Sequence, residues 1–195
     1  MRIGLDIDNV ISDFDKGLLE AFIKEDKNKR NTGIINKNAH ITKGMFDWSS
    51  EEVKEFFLTK MEGLAKQLTL RENAKYYMDK MLKDGHELYL ITHRSLKEYS
   101  DPYNLTLEWL ERNDINYTKL VLSNTPDKTE ECKDNQVDVM FDDRVSQCKK
   151  MIANGVKCIA METRYNRAEV IDIDYVSTWE ELYECIKRLE KANTR

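Results

Sequence analysis

Five short apolar runs alternate with helix-patterned segments along most of this chain, and polar residues close several of the runs at their carboxyl ends. The runs are Arg2 to Asp8 (RIGLDID), Glu87 to Thr92 (ELYLIT), KLVLS at 119–123, VDVMF at 137–141 and VKCIAME at 156–162. Runs of this length in which consecutive residues are apolar read as strands buried on both faces. The segment before the second run places Tyr77, Met78, Met81 and Leu82 on one helical face and stops at Gly85, a residue suited to a helix C-terminus. Asp101-Pro102 opens a helix before the third run, another follows Asp127, and a further one begins after Arg144 and ends at Gly155. Thr178 and Glu181 have capping-box spacing and open a last helix. Strand and helix alternating in this way predict an α/β chain with a Rossmann-like parallel five-stranded sheet, covered by helices on both faces and joined by right-handed crossovers. Ligands of such sheets gather at the carboxyl ends of the strands.

Some sixty residues separate the first strand from the helix near Arg71, far beyond the length of an ordinary strand-to-helix connection. They carry two helical patterns: Leu18, Leu19, Phe22 and Ile23, then Val53, Phe56, Phe57 and Met61, the second opened by Ser49 with Glu52 three residues on. Residues 15–71 are therefore expected to form a helical cap inserted after the first strand, with residues 1–14 and 72–195 forming the core. The polar, basic stretch from Lys24 to His40 reads as an exposed loop between the cap helices. A length of 195 residues with 41% hydrophobic content suits one domain carrying such an insertion.

Charge excludes one class of partner. Acidic residues number 36 against 31 Lys plus Arg, and the resulting net charge of -5 offers no general attraction to a nucleic acid polymer. The chain has no apolar run long enough to span a bilayer, and its opening residues lack a leader pattern, so the expectation is a cytoplasmic protein without a membrane partner. Cys132, Cys148, Cys158 and Cys185 form no zinc-like spacing and are expected as reduced thiols; His40, His86 and His93 are scattered likewise. The sequence leaves a homodimer open.

The chemistry lies where the strands end. Asp6 and Asp8 close the first, Thr92-His93-Arg94 the second, and Asp142-Asp143-Arg144 the fourth, so one edge of a parallel sheet collects carboxylates, a hydroxyl and cations. An isolated Asp-x-Asp is more often a turn or a helix cap, and either Asp142 or Asp143 alone could cap the helix that follows. Gathered together, the carboxylates would repel one another and take up protons unless a hard divalent cation neutralised them. Mg2+ fits best, because it binds through one or two carboxylates plus the phosphate of a substrate.

The order DIDNV, then Thr92, then a Lys, then FDDR resembles the four motifs of the haloacid dehalogenase superfamily. The longer match, DIDNVISDF from Asp6 to Phe14, is similar to the opening of the 5'(3')-deoxyribonucleotidases, and FDDR, the closing YNR and STWEEL also fit that group. Asn9 departs from it, standing where Gly is common, and His93 fills a spot usually small or variable. The resemblance implies that Asp6 is the nucleophile, that Asp8 is the acid and then the base, and that Asp6, the Asp8 carbonyl, Asp142 and Asp143 hold Mg2+. Of Asp142 and Asp143, one is expected to bind the ion directly, as Asp143 would by likeness to related nucleotidases, and the other to hold a ligating water or orient Lys or Arg. Thr92, His93 and Arg94 are implied as substrate-binding, as is Lys128 at the usual motif position; Lys133 is the second candidate because it lies nearer the spacing of mitochondrial members. Phe14 matches a residue that contacts the nucleobase, and as a flat apolar ring it equally suits hinge packing. Phe46 and Trp48 could line the same pocket, although core packing is the better reading.

The expected activity is a Mg2+-dependent phosphomonoesterase acting through an aspartyl-phosphate on a small phosphorylated metabolite, foremost a nucleoside or deoxynucleoside monophosphate. The alternatives are a phosphatase or phosphotransferase for sugar phosphates or other small molecules, and an idle nucleotide-binding module. A two-component receiver shares the residue types, but it places its paired acids first and has no room for the insertion.

Overall fold

The computed structural model describes residues 1–193 of the chain. Six parallel strands form one sheet: β1 (Arg2–Leu5), β2 (Glu87–His93), β3 (Lys119–Ser123), β4 (Val139–Asp142), β5 (Cys158–Met161) and β6 (Tyr175–Val176), in the spatial order β3-β2-β1-β4-β5-β6. The expected five strands become six, since β6 is two residues long and carries no periodic signal of its own. The first strand is shorter than its apolar run, because Asp6 to Asp8 leave the ladder as a turn.

Alternation with a period of two sends side chains to both faces, and both are covered. Ile3, Leu5, Leu88, Leu90, Val139, Phe141, Ile159 and Met161 join one core with Met78 and Met81 of α3 (Ala74–Lys83), Trp109 and Leu110 of α4 (Pro102–Arg112), and Leu182 and Ile186 of α7 (Trp179–Asn193). Tyr89, Ile91, Met140, Cys158 and Ala160 face the other way, against Cys132 of α5 (Thr129–Asp134) and Cys148 and Met151 of α6 (Val145–Ala153). Gly4 belongs to neither set. A Cβ there would stand 2.6 Å from Met140 Sδ and 3.0 Å from Val137 Cγ1, so any larger residue would require those two side chains to shift.

Caps punctuate the helices where the residues allow it. The Asp101 carboxylate accepts the Asn104 N–H at 3.1 Å ahead of Pro102, and Gly85 takes φ +86° just beyond α3. At α7 the box is displaced by one residue. Thr178 Oγ1 accepts from Glu181 N, but the Glu181 carboxylate accepts from Ser177 N.

The remaining two helices, α1 (Phe14–Lys29) and α2 (Ser50–Gln67), lie between β1 and α3 in sequence. Ser49 and Glu52 form a reciprocal capping box at the start of α2, and Arg30 reaches Glu52 at 2.6 Å across the helix pair. With the loop between them, these helices build a further core from Leu18, Phe22, Phe46, Phe56, Met61 and Ala65, which Tyr99 and, from α4, Leu105 join, and in which Trp48 stacks on Phe22 with centroids 4.6 Å apart and donates its Nε1–H to the buried Asp26 at 3.0 Å. Chain leaves the sheet through 11–13 and returns through 69–71, and the two passages pair: Asp13 N–H donates to Thr69 O and Arg71 N–H to Ile11 O, each at 2.8 Å. The guanidinium of Arg71 then donates to the carbonyls of Asn9, Glu162 and Ser177, joining this crossing to the ends of β5 and β6.

Candidate active site

The strand order reverses beside β1: the chain runs outward through β2 and β3, then crosses to β4 on the opposite side. The crevice of an open parallel sheet forms at such a switch point, beyond the carboxyl ends of the two strands. Here those ends are Asp6 on one side and Asp142-Asp143 on the other, in register because Leu5 pairs with Phe141 and the Asp6 N–H donates to the Phe141 carbonyl at 3.0 Å.

Asp6, Asp142 and Asp143 are all buried, and one oxygen of each lies within 4.8 Å of the others. Lys128 is buried among them, its Nζ 2.8 Å from Asp6 Oδ1 and 2.6 Å from Asp142 Oδ2. Burial works against charge on this ammonium, but the carboxylates of Asp142 and Asp6 more than offset it and raise its pKa, so it stays ionised. Lys133 lies outside the site. It is exposed on α5 and pairs with Glu130 at 3.5 Å.

Asp6 Oδ1 also accepts the N–H of Ile7 at 2.8 Å, and Asp142 Oδ1 accepts the N–H of Arg144 at 2.8 Å. Asp143 is held by the Asn9 amide at 2.8 Å and by the Tyr165 hydroxyl, both on Oδ2. Burial, with the charges of Asp142 and Asp6 added to it, pushes the Asp143 carboxyl up to about 7. Three carboxylates and one ammonium leave a formal deficit of two positive charges in a pocket that offers oxygen donors, and that donor set fits a hard divalent cation.

Asp8 stands apart from this trio. Its Oδ1 accepts from Arg94 at 3.2 Å and from Ser12 Oγ at 3.3 Å. Arg94, expected to bind substrate, is buried behind Asp8: its other nitrogen donates to Thr106 Oγ1 at 3.1 Å, and the guanidinium packs 5.6 Å from the Tyr99 ring centroid. Thr92 and His93 do face the opening, with His93 Nδ1 at 3.0 Å from the Ser123 carbonyl.

Above the carboxylates lies a cavity of about 650 Å3. Asp6, Asp8, Thr92, Lys128 and Asp143 are at its sheet side, while Phe14, Leu18, Phe57 and Met61 from α1 and α2 supply an apolar wall opposite. His40, Thr42 and Lys43 reach it from the loop between those helices. Phe46 and Trp48 are not among its lining residues and belong to the core between the inserted helices. Sequence reasoning passed over Asn9, Tyr165 and Glu98. Asn9 could have been suspected, because a residue replacing Gly in a turn must tolerate positive φ, and it adopts φ +65°. Tyr165 stands in the YNR segment that fits the family but carried no assigned role, and nothing local marks Glu98, a half-buried carboxyl raised above its ordinary value by burial.

Comparison with known proteins supplies the family and the fold. The model of the family "5' nucleotidase, deoxy (Pyrimidine), cytosolic type C protein" matches residues 1–192. A Bacillus subtilis (strain 168) protein, YqfW, provisionally named a nucleotidase, is 28% identical over 187 residues, covering 92% of this chain and 90% of that one. Among solved structures, the haloacid dehalogenase-like family hydrolase SP0104 from Streptococcus pneumoniae superposes with a TM-score of 0.67 at 11% identity, covering 95% of this chain and 97% of its own. CbbY from Rhodobacter sphaeroides, in complex with phosphate, gives 0.57 at 15% identity, over 93% and 95%. At such identities the structural likeness establishes the haloacid dehalogenase-like fold. The family match runs through all six strands and both inserted helices: the chain belongs to the cytosolic type C deoxy (pyrimidine) 5' nucleotidase family and is a phosphoric monoester hydrolase.

Proposed function

We propose that this hydrolase is Mg2+-dependent, works through an aspartyl-phosphate on Asp6, and takes nucleoside or deoxynucleoside monophosphates as substrates. The observation that carries the reading is the Lys128 ammonium, buried between Asp6 and Asp142 at the foot of the cavity. A carboxylate so placed meets a phosphoryl group with its own charge partly neutralised.

Two donors, Lys128 Nζ and Ile7 N–H, hold Asp6 Oδ1 and leave Oδ2 to attack phosphorus. As the Oδ2–P bond forms, the bond from phosphorus to the sugar oxygen breaks, and Asp8 gives that oxygen its proton. Asp8 then takes a proton from water, whose oxygen attacks phosphorus and frees Asp6 with release of inorganic phosphate. Arg94 holds the Asp8 carboxylate on one oxygen through both steps. Thr92 donates to a phosphoryl oxygen, and Lys128 carries the charge that the phosphoryl group and Asp6 share. Asp6, Asp142, Asp143 and the Asp8 carbonyl would hold Mg2+, which when bound supplies the positive charge that three carboxylates and a phosphate lack.

Residues 15–71 act as the cap in this reading, excluding water from the cavity and offering Phe14, Leu18, Phe57 and Met61 to the flat, weakly polar face of a base. His93, which lines the cavity beside Thr92, contacts the substrate in this reading. The described helices include none long and apolar enough to cross a membrane, and all four cysteines are free, which suits a reducing cytoplasm.

The test is phosphate release from nucleoside and deoxynucleoside monophosphates and from sugar phosphates, with Mg2+ and with chelator. Metal-dependent turnover concentrated on nucleotides is the expected outcome. Turnover confined to sugar phosphates would keep the chemistry and overturn the substrate; turnover undiminished by chelator would overturn the role of the metal.

A further inference from the structure

We propose that Asn9 and Tyr165 are positioning residues that lock Asp143 in the orientation a divalent cation needs, and that Asn9 ties this orientation to the first turn of α1. The inference rests on the reading of Asp6, Asp142 and Asp143 as a Mg2+ site.

Both donors act on one atom. Asn9 Nδ2 donates to Asp143 Oδ2 at 2.8 Å, and the Tyr165 hydroxyl donates to the same oxygen. A carboxylate oxygen has two lone pairs in its plane, so the pair of donors satisfies Oδ2 and leaves Oδ1 as the atom for a cation. Asp143 is thereby presented as a one-oxygen ligand, which suits a small octahedral ion that keeps much of its water. The backbone is fixed as well, since Asn166 Nδ2 donates to the Asp143 carbonyl at 2.6 Å.

The other end of the Asn9 amide faces a helix. Its Oδ1 accepts the N–H of Asp15 at 2.7 Å, one of the first-turn donors of α1 that no intrahelical carbonyl can satisfy, and Asp13, the cap residue, makes no side-chain bond there. Only one orientation of the amide serves both neighbours: reversed, it would set its oxygen against Asp143 and its NH2 against an N–H. The ring closes through the Asp15 carboxylate, which pairs with Arg164 at 3.0 and 3.2 Å, next in sequence to Tyr165. A metal carboxylate, a helix start and the loop after β5 are thus one hydrogen-bonded circuit. Asn is also among the few side chains that readily occupy the φ of +65° at position 9, so conformation and hydrogen bonding select the same residue.

Asn9→Gly keeps the backbone conformation and removes the amide; Tyr165→Phe keeps the ring that packs edge-on against His40 and removes the donor. Mg2+ affinity would be measured by calorimetry and by the Mg2+-dependent rise in Tm for the wild type, both variants, the double variant and Asp143→Asn. Each single variant is expected to weaken Mg2+ binding roughly tenfold or more. The double variant should weaken it by less than the product, because the two donors share an oxygen. Mg2+ should slow amide exchange at Asp15 in the wild type and in Tyr165→Phe, and leave it unchanged in Asn9→Gly. Variants that lose stability equally with and without Mg2+, at undiminished affinity, would show a structural role only and overturn the inference. A wild type with no saturable Mg2+ effect would instead bring down the metal reading on which it rests.

Discussion

Replacing Lys128 by Met would test the electrostatic centre of the site most directly. The side chain is buried, its volume is nearly conserved, and its ammonium is the buried cation in contact with both Asp6 and Asp142, at 2.8 and 2.6 Å. Removing one partner from a buried ion pair strands the remaining charge and costs about 3–5 kcal/mol. For a chain of this size each kcal/mol moves Tm by about 2–4 °C, so the variant should melt roughly 6–20 °C lower in the presence of chelator. Mg2+ should recover more of that loss than it adds to the wild type, because the formal charge of the cluster falls from two negative to three. Turnover at saturating Mg2+ should still drop by about 10²–10³, the usual cost of a charged group aimed at a reacting centre. The measurements are thermal melts with and without chelator, and phosphate release at fixed substrate. A variant that melts within about 2 °C of the wild type in chelator and turns over comparably would refute the reasoning, since Lys128 would then be neither the counter-charge nor the phosphoryl ligand.

Asp6→Asn should fold normally and lose roughly 10³-fold or more in kcat, because an amide oxygen is a poor nucleophile; rapid-quench assays with labelled substrate should find no protein-bound phosphate in it. The Asp143 carboxyl, pushed up to about 7 by burial and its neighbours, lies above its unfolded value of 3.8. The folded, metal-free protein therefore binds the extra proton, and its stability should fall as pH rises from about 4 to about 7. Mg2+ competes with that proton, so its stabilising effect should grow across the same window; equal Tm gains at pH 5.5 and pH 8 would contradict this. Phe57→Ala should raise KM for nucleotides by roughly tenfold while sparing a small aryl phosphate, as steady-state kinetics on the two substrates would reveal.

Periodicity made the sheet readable. Strands such as Glu87–His93, apolar on both faces, announce themselves, and of the polar residues that close them Asp6, Asp142 and Asp143 do come together at one edge of the sheet. The sixth strand escaped because two residues cannot display a period, and the first was overextended because Asp6-Ile7-Asp8 continues the alternation after the ladder has stopped. Lys128 and Lys133 could be told apart only by the direction each takes from the start and end of α5: one turns under the sheet edge, the other into solvent. Arg94 was legible as a cation beside the carboxylates, but its burial behind Asp8 was not, since that depends on Thr106 and Tyr99 from other segments. The hold of Asn9 on Asp143 spans 134 residues and requires a left-handed backbone at the turn, so no window of sequence contains it.

The crossing of the two passages at 11–13 and 69–71 has an evolutionary consequence. Because the outgoing and returning segments pair with each other, the inserted residues leave the sheet and rejoin it side by side. Anything whose ends lie that close together can be spliced in at this point without altering the spacing of β1 and α3. In the reading proposed above, the insertion is therefore a cassette: its exchange for another helical pair would change which leaving group is admitted while the carboxylates and Lys128 remain where they are.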